Sequence, residues 1–259
     1  MKQLLLSGVA LAVLTFTSCK KNSDEAAPGN GTVTTPSLRL KKMVQTFSGA
    51  TRTVNFSYDN TGKLSGYESS DNVDHTSFAY DNDGNLTTID ETEDGFHNMY
   101  VYTYQNGKPV SAIFKSWRIT AGQPNQLIED DELTYTVANN RVSKIHVRFE
   151  DNSERDFELA YDGNGELAQV NTIGSADYLA TFTYGDKKSP FPAVSKWVLD
   201  QAGFSNDFVT KRNILTRTFD FPGTAFDQTQ TTTYTFNASG YPATASSGGV
   251  QTTFEYQQL

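Results

Sequence analysis

One short pattern recurs at points where the chain must reverse direction. Residues 80–86 read Tyr-Asp-Asn-Asp-Gly-Asn-Leu, residues 58–64 read Tyr-Asp-Asn-Thr-Gly-Lys-Leu, and residues 161–167 read Tyr-Asp-Gly-Asn-Gly-Glu-Leu. A drifted copy, Phe-Asn-Ala-Ser-Gly-Tyr-Pro, occupies residues 236–242. In each copy an aromatic residue ends one strand, Asp or Asn can bond to the turn backbone, Gly supplies a positive φ, and an apolar residue opens the next strand. The pattern therefore predicts four β-hairpin tips.

Between these tips, apolar and polar residues alternate with the period of a β-strand. Val54, Phe56 and Tyr58 share one face of a predicted strand, and the residues between them are polar. Residues 106–107 (Asn-Gly) and 139–140 (Asn-Asn) are two further tight turns, because Gly and Asn tolerate positive φ. The alternation predicts an all-β, antiparallel up-and-down meander of about fifteen or sixteen strands.

A sheet of this size must close. An open twisted sheet rarely exceeds about ten strands, and this sequence has little helix to cover an apolar face. We therefore expect the sheet to roll into a barrel-like or flattened closed structure without free edges. A closed barrel of this size is too wide for wall side chains to fill, so it either flattens or encloses a cavity lined by Tyr and Phe.

The predicted connections differ in length at the two ends of the sheet. Residues 185–211 are interpreted as one long connection, with room for one short helix near 193–202. The end opposite the hairpin tips is expected to carry longer loops, at residues 69–75, 90–97, 118–127, 150–155 and 173–177.

The N-terminus has the features of an export signal. A basic start is followed by an apolar run from Leu4 to Phe16, which is too short to span a bilayer. The run ends in Phe-Thr-Ser before Cys19, the single cysteine. This segment resembles a bacterial lipoprotein signal peptide with its lipobox, although Phe16 stands where Leu is usual. The resemblance implies cleavage before Cys19 and acyl chains such as palmitate on the mature N-terminus. The alternative is an ordinary signal peptide with a chance cysteine.

These features divide the chain into three parts: a signal peptide (1–18), a lipid anchor with a disordered linker (19–37) and a single β-meander domain (38–259). Residues 23–25 read Ser-Asp-Glu, which is similar to the acidic export signals of Bacteroidota lipoproteins. The resemblance implies an outer-membrane lipoprotein of the cell envelope, either surface-exposed or facing the periplasm.

Two family resemblances bear on the β domain. The hairpin tips resemble YD repeats of the Rhs family, in which hairpins coil into large shells. The stretch from Leu38 to the end combines the tips with Lys-Ser-Pro-Phe at 188–191, Lys-Arg-Asn-Ile-Leu at 211–215 and a Tyr-rich closing hairpin. With the lipobox, it resembles a family of Bacteroidota lipoproteins of unknown function with a porin-like fold. That resemblance implies a many-stranded meandering barrel but supplies no activity and no site residues.

A membrane-spanning porin is not expected, for reasons in the residues themselves. Lys144, His146 and Arg148 occupy one face of one predicted strand, and lipid-facing strands need an apolar band. The last three residues, Gln-Gln-Leu, also lack a final aromatic residue.

Charge and motif content exclude several function classes. With 21 basic and 30 acidic residues the net charge is -9, which disfavours nucleic acid as a partner. The sequence contains no nucleophile elbow, phosphate loop or Cys/His pair. We therefore expect a protein that is not an enzyme and needs no cofactor or metal.

Four residues are candidates for binding a ligand. Trp117 and Trp197 have rings suited to stacking on sugars, although packing is the commoner use of Trp. Asp94 and His97 lie in one of several acidic segments predicted to gather at one rim, where a divalent cation or a basic partner could bind. The alternative for this rim is a solvated, self-repelling surface. Its acidic and histidine residues are Asp71, Asp74, His75, Asp90, Glu91, Glu93, Asp94, His97, Glu129, Asp130, Asp131, Glu132, Glu150, Asp151, Glu154 and Asp156.

The function expected from these features is binding of an extracellular ligand, such as a glycan or an apolar molecule, by a lipid-anchored envelope protein. One alternative is a structural or assembly partner of an outer-membrane protein complex. Another is a glycan hydrolase that uses the acidic loops, since glycoside hydrolysis needs two opposed carboxylates.

Overall fold

The computed structural model describes residues 38–173, 178–200 and 204–258. The predicted signal peptide, the anchor at Cys19, the linker and most of the loop predicted at 173–177 lie outside these residues. The described elements are β1 (Leu38–Phe47), β2 (Ala50–Tyr58), β3 (Leu64–Ser69), β4 (His75–Tyr80), β5 (Leu86–Glu93), β6 (Phe96–Gln105), β7 (Lys108–Arg118), β8 (Gln126–Ala138), β9 (Arg141–Arg148), β10 (Glu154–Tyr161), β11 (Leu167–Ile173), β12 (Leu179–Lys188), α1 (Phe204–Val209), β13 (Arg212–Asp220), β14 (Gln228–Phe236), β15 (Pro242–Ser247) and β16 (Val250–Gln258).

The sixteen strands form one closed antiparallel barrel, which confirms the predicted meander and its closure. Each strand pairs with its neighbours in the chain, and β1 pairs with β16 from Leu38 opposite Gln258 to Thr46 opposite Gln251. Closure satisfies the backbone N–H and C=O groups that the first and last strands would otherwise leave unpaired. The described part of the chain contains no helix that is long and apolar enough to cross a membrane.

All four predicted hairpin tips adopt the same turn. In the tip at 162–166, the Asp162 N–H donates to the Glu166 carbonyl (2.9 Å) and the Gly165 N–H donates to the Asp162 carbonyl (3.0 Å). The Asp162 carboxylate accepts the N–H groups of Asn164 (2.8 Å) and Glu166 (3.0 Å). The glycines of the four tips, Gly62, Gly84, Gly165 and Gly240, have φ values of +83°, +82°, +90° and +78°. We call the barrel end that carries these tips the turn end, and the opposite end the loop end.

A matched pair of glycines in one tip tests this turn geometry. Gly165→Ala is expected to lower the free energy of unfolding by about 1–2 kcal/mol, because its positive φ disfavours a side chain. A Cβ at this position would also lie 2.3 Å from Nη2 of Arg141. Gly163→Ala is the control, because a Cβ there meets no atom within 4 Å. Urea denaturation of both variants measures the difference; equal stability would contradict the assigned turn.

A ring of tyrosine hydroxyls joins neighbouring strands at the turn end. Each Tyr lies in the second half of an even-numbered strand, and its hydroxyl donates to a carbonyl near the start of the preceding strand. Burial raises the pKa of Tyr58 to about 12 despite the opposing effect of Arg39, so its hydroxyl stays protonated and donates at neutral pH. The seven bonds, 2.6–3.0 Å long, join Tyr58 to Leu40, Tyr80 to Leu64, Tyr104 to Leu86, Tyr161 to Val142, Tyr184 to Leu167, Tyr234 to Ile214 and Tyr256 to Pro242.

The barrel interior is occupied by the connection between β12 and β13. We call residues 189–211 the plug; its described parts are 189–200 and 204–211. Its two arms are tied together, since the Ser189 N–H donates to the Lys211 carbonyl (2.9 Å) and the Val194 N–H donates to the Phe208 carbonyl (2.8 Å). The plug enters and leaves at the turn end, because β12 ends there and β13 begins there.

The short helix lies later in the plug than the sequence indicated. Residues 193–200 are irregular, and α1 is Phe204–Val209. Two backbone groups of residues 193–200 bond to side chains. The Ser195 hydroxyl accepts the backbone N–H of Trp197 (2.9 Å), and the Tyr135 hydroxyl donates to the Leu199 carbonyl (2.8 Å). Such bonds compete with a helix for backbone groups.

Aromatic rings bind the plug to the barrel wall. Between ring centroids, the Phe208 ring lies 5.8 Å from Tyr67 and 6.0 Å from Phe78 on the wall, and 5.2 Å from Phe191 in the other arm of the plug. The Phe191 ring also lies 6.4 Å from Phe254, near the end of the chain. Side chains from early strands (β3 and β4) and from the last strand (β16) therefore contact the plug. It fills space that wall side chains alone cannot reach in a barrel of this size.

Candidate functional site

A cavity of about 460 Å³ lies at the turn end, between the plug and four turns of the barrel wall with the strand ends beside them. We call it the mouth pocket. Residues 83–86, 140–142 and 164–167 line it from the wall, and residues 193–198 and 209–211 line it from the plug. The hairpin tips fix the wall side of the pocket, and the two tied arms of the plug fix the other side.

The mouth pocket carries more positive than negative side chains. Lys63, Arg141, Lys196 and Lys211 line it, against two carboxylates. One of these, Glu166, is only 6% exposed and already accepts the Lys211 backbone N–H at 3.3 Å. Four cations against two carboxylates give an excess of two positive charges in a chain whose net charge is -9.

Aromatic faces and glycines position two of these cations. The Lys63 ammonium lies 4.7 Å from the centroid of the Tyr80 ring, and the Arg141 guanidinium lies 5.1 Å from that of Tyr161. Both tyrosines belong to the hydroxyl ring described above. A Cβ added to Gly84 would lie 2.3 Å from the Lys63 ammonium, so the absence of a side chain lets the cation lie over the turn. Contact with the ring face favours this position electrostatically.

Two buried polar atoms in the pocket wall have no hydrogen-bond partner. Trp197 and Thr210 are each 4% exposed, and the indole Nε1 and the hydroxyl Oγ1 make no hydrogen bond. Both side chains line the mouth pocket. An unsatisfied buried polar group typically costs about 1–3 kcal/mol, which a group that reached either atom and supplied a partner would recover.

An ion-pair cluster holds the plug where it leaves the barrel. The Arg212 guanidinium pairs with Asp162, lies 3.5 Å from Oε1 of Glu166, and stacks 5.3 Å from the Tyr184 ring centroid. Burial raises the pKa of Asp162, but the backbone N–H groups of Glu166 and Asn164 and the Arg212 charge outweigh it. The pKa of Asp162 is therefore below its ordinary value.

The structure brings two of the four sequence candidates together. His97 stacks on Trp117 at 5.0 Å between ring centroids, because the two residues are opposite each other on β6 and β7. The His97 Nε2 also lies 3.2 Å from Asp90. Asp94 occupies the two-residue turn 94–95 with φ of +42°. The loop predicted at 90–97 is therefore two strands and a tight turn, since Asp94-Gly95 supplies both positive φ angles.

The fourth candidate, Trp197, lies inside the barrel and lines the mouth pocket. Its neighbours there include Thr210, Lys63 and Arg141, none of which was a candidate from the sequence. A signal existed for the two wall cations. Each directly precedes the first apolar residue after a turn, as Lys63-Leu64 and Arg141-Val142 show.

Strand alternation divides the acidic residues that were expected to form one rim. Asp130 and Asp156 face outward and pair with Lys115 (3.0 Å) and Lys144 (2.6 Å). Asp131 and Glu91 face inward, where burial, aided by nearby Glu129 and Glu93 respectively, raises their pKa values. The described residues hold no group of three or more His, Cys, Asp or Glu side chains that could bind a metal ion.

Comparisons with known proteins support the fold. A porin-like protein from Bacteroides vulgatus is 11% identical, with a TM-score of 0.57 over 86% of this chain and 100% of that one. A porin-like protein from Bacteroides uniformis is 12% identical, with a TM-score of 0.51 over 83% of this chain and 96% of that one. No protein-family model and no curated protein matches this chain. At these identities the likeness extends to the barrel fold alone.

Proposed function

We propose that this protein is a lipid-anchored, non-enzymatic protein of the bacterial envelope that binds a glycan in the mouth pocket. The observation that carries the proposal is that two residues of the pocket lining, Trp197 and Thr210, hold buried polar atoms without hydrogen-bond partners. A volume of about 460 Å³ is within the range of small-molecule sites.

The pocket favours a glycan over an apolar molecule. The aromatic inner face of the barrel is packed against the plug, through rings such as Phe191 and Phe208. The mouth pocket instead combines lysine and arginine side chains with a hydroxyl and an indole N–H. Sugar hydroxyls both donate and accept hydrogen bonds, so they complement this set of groups.

Thr210→Val tests the proposal directly, because valine keeps the shape of threonine and removes the hydroxyl. Since Oγ1 has no partner in the free protein, the variant is expected to be as stable as the parent or more so. Its affinity for a glycan found by array screening of the full-length protein is expected to fall about fivefold or more. Thr232→Val, on β14, is the matched control outside the pocket lining. A screen with no glycan bound, or unchanged affinity in Thr210→Val, would contradict the proposed site.

The proposed location rests on the N-terminal signal and is tested at Cys19. Cys19→Ala is expected to abolish incorporation of labelled palmitate in a bacterial host and to leave the signal peptide attached, because the thiol is the acceptor for the lipid. Several acyl chains, at about 0.8 kcal/mol per buried CH₂, anchor a protein stably. Ser18→Ala serves as the control, since a small residue remains before the cysteine. Labelling that persists in Cys19→Ala would exclude this anchor.

In this proposal the barrel wall itself stays in water. Lys144 and Asp156 pair at 2.6 Å on the outward faces of β9 and β10, and Lys115 and Asp130 pair at 3.0 Å on β7 and β8. A Lys or Arg on a lipid-facing strand destabilises a membrane barrel by about 2–4 kcal/mol at the bilayer midplane. The charged outer wall therefore favours a tethered barrel over a membrane-spanning one.

A further inference from the structure

We infer that the ligand of the mouth pocket is an acidic sugar, which carries a phosphate or carboxylate group beside its hydroxyls. This inference rests on the proposed function and names the chemical class of its ligand. The observation behind it is which of the described cations form ion pairs.

Several cations of the outer wall have carboxylate partners, whereas the four cations that line the mouth pocket make no ion pair with a described carboxylate. Lys42, Lys115 and Lys144 each form an ion pair of 2.6–3.0 Å with a neighbouring strand. Within the described residues, none of the four pocket cations, Lys63, Arg141, Lys196 and Lys211, makes an ion pair. An acidic protein with 30 carboxylate residues thus keeps four cations unpaired around one cavity.

The four cations reach the cavity from separate elements. Lys63 lies in the hairpin tip before β3 and Arg141 begins β9, whereas Lys196 and Lys211 come from the two arms of the plug. Contacts of Lys63 with Tyr80 and of Arg141 with Tyr161 hold the wall cations over aromatic faces. Cations held in place lose less conformational freedom when an anion arrives, and an arginine can bind phosphate or carboxylate through two parallel hydrogen bonds.

The remaining polar groups suit the rest of a sugar. The Thr210 hydroxyl can donate to or accept from a sugar hydroxyl, and the Trp197 indole can donate. One face of the Trp197 ring lies under the Lys196 ammonium, 4.9 Å from the ring centroid. An acidic sugar satisfies the cations and the neutral polar groups together, which neither a simple anion nor a neutral sugar does.

An acidic sugar can be free in solution or can belong to a lipid headgroup. β1 begins at Leu38, at the barrel end that carries the mouth pocket. Both sources share the chemistry that the pocket recognises, and the experiment separates them.

Calorimetric titration of the full-length protein in detergent with glucose 1-phosphate, glucuronic acid, glucose and inorganic phosphate tests the inference. At least one acidic sugar is expected to bind about tenfold or more tightly than glucose and than inorganic phosphate, and to weaken as salt rises. Arg141→Gln is expected to raise its Kd about tenfold. Lys108→Gln is the matched control, since Lys108 begins β7 at the same barrel end but does not line the pocket.

The outcomes separate this inference from the function on which it rests. If neutral glycans bind and acidic sugars bind no more tightly, the proposed glycan binding stands and the acidic class is wrong. If inorganic phosphate binds as tightly as the acidic sugars, the pocket is a simple anion site and the inference is overturned. If no glycan binds, both the inference and the proposed function fail.

A competition experiment in detergent micelles identifies the source of the sugar. If phosphatidylinositol displaces the bound sugar and phosphatidylcholine does not, the natural ligand is a lipid headgroup. If neither lipid displaces it, the natural ligand is a soluble sugar.

Discussion

Phe208→Ala is expected to lower the free energy of unfolding by about 3–5 kcal/mol, because it removes a buried ring that joins the plug to the barrel wall. Phe208 is 7% exposed and contacts Tyr67, Phe78 and Phe191. Its replacement leaves a cavity among three rings, which belong to β3, β4 and the other arm of the plug. A closed barrel wall cannot collapse easily into that space, so the upper part of this range applies.

The control for this prediction is Phe226→Ala, because Phe226 lies in a loop with 71% of its surface exposed. Its effect is expected to stay within about 0.5 kcal/mol. Urea denaturation followed by far-ultraviolet circular dichroism measures both variants on one scale. If Phe208→Ala is no less stable than Phe226→Ala, the plug does not support the barrel.

Arg212→Ala is expected to lower the free energy of unfolding by about 2–3 kcal/mol. Removing the guanidinium leaves Asp162 and the buried Glu166 without their cation, and breaking a buried charge pair costs more than the pair contributes. The value is set below that for a fully buried pair because the Arg212 side chain is partly exposed. Lys187→Ala is the control, since the Lys187–Asp186 pair (3.2 Å) lies on the surface and is expected to contribute less than about 1 kcal/mol.

The pH dependence of this effect has a definite sign. The folded protein holds the pKa of Asp162 below its unfolded value, partly through Arg212. The resulting stability is present above the unfolded carboxyl pKa of about 3.9 and is lost as the pH falls through the folded value. The stability difference between the parent and Arg212→Ala is therefore expected to be constant near neutral pH and to narrow below about pH 4. A difference that widens on acidification would contradict the assigned pair.

The barrel could be predicted from the sequence because its signals are local. A tip such as residues 162–166 contains its own Asp, Gly and strand-opening residue, and period-two alternation gives the face of each strand. Closure then followed from strand number. The pairing of His97 with Trp117 was missed for a specific reason: Asp94-Gly95 was interpreted as part of a loop and not as a hairpin turn, so the register across it was not considered.

The plug and the mouth pocket could not be predicted in the same way, because their contacts join distant residues. Val194, Trp197, Val198 and Leu199 are all buried, and this pattern has neither the period of a strand nor that of an amphipathic helix. A segment surrounded by the barrel wall buries every side, so its sequence does not show where it lies. Thr210 and Arg141 become neighbours in one cavity only once the plug is inside.

The fluorescence of Trp197 tests the central claim, that the plug lies inside the barrel and forms one side of the mouth pocket. The chain has two tryptophans, so Trp117→Phe leaves Trp197 as the single reporter. With Trp197 4% exposed, its emission is expected at short wavelength, with little quenching by acrylamide until the protein is unfolded in urea. Long-wavelength emission with strong quenching in the folded protein would place the plug outside the barrel and contradict the account.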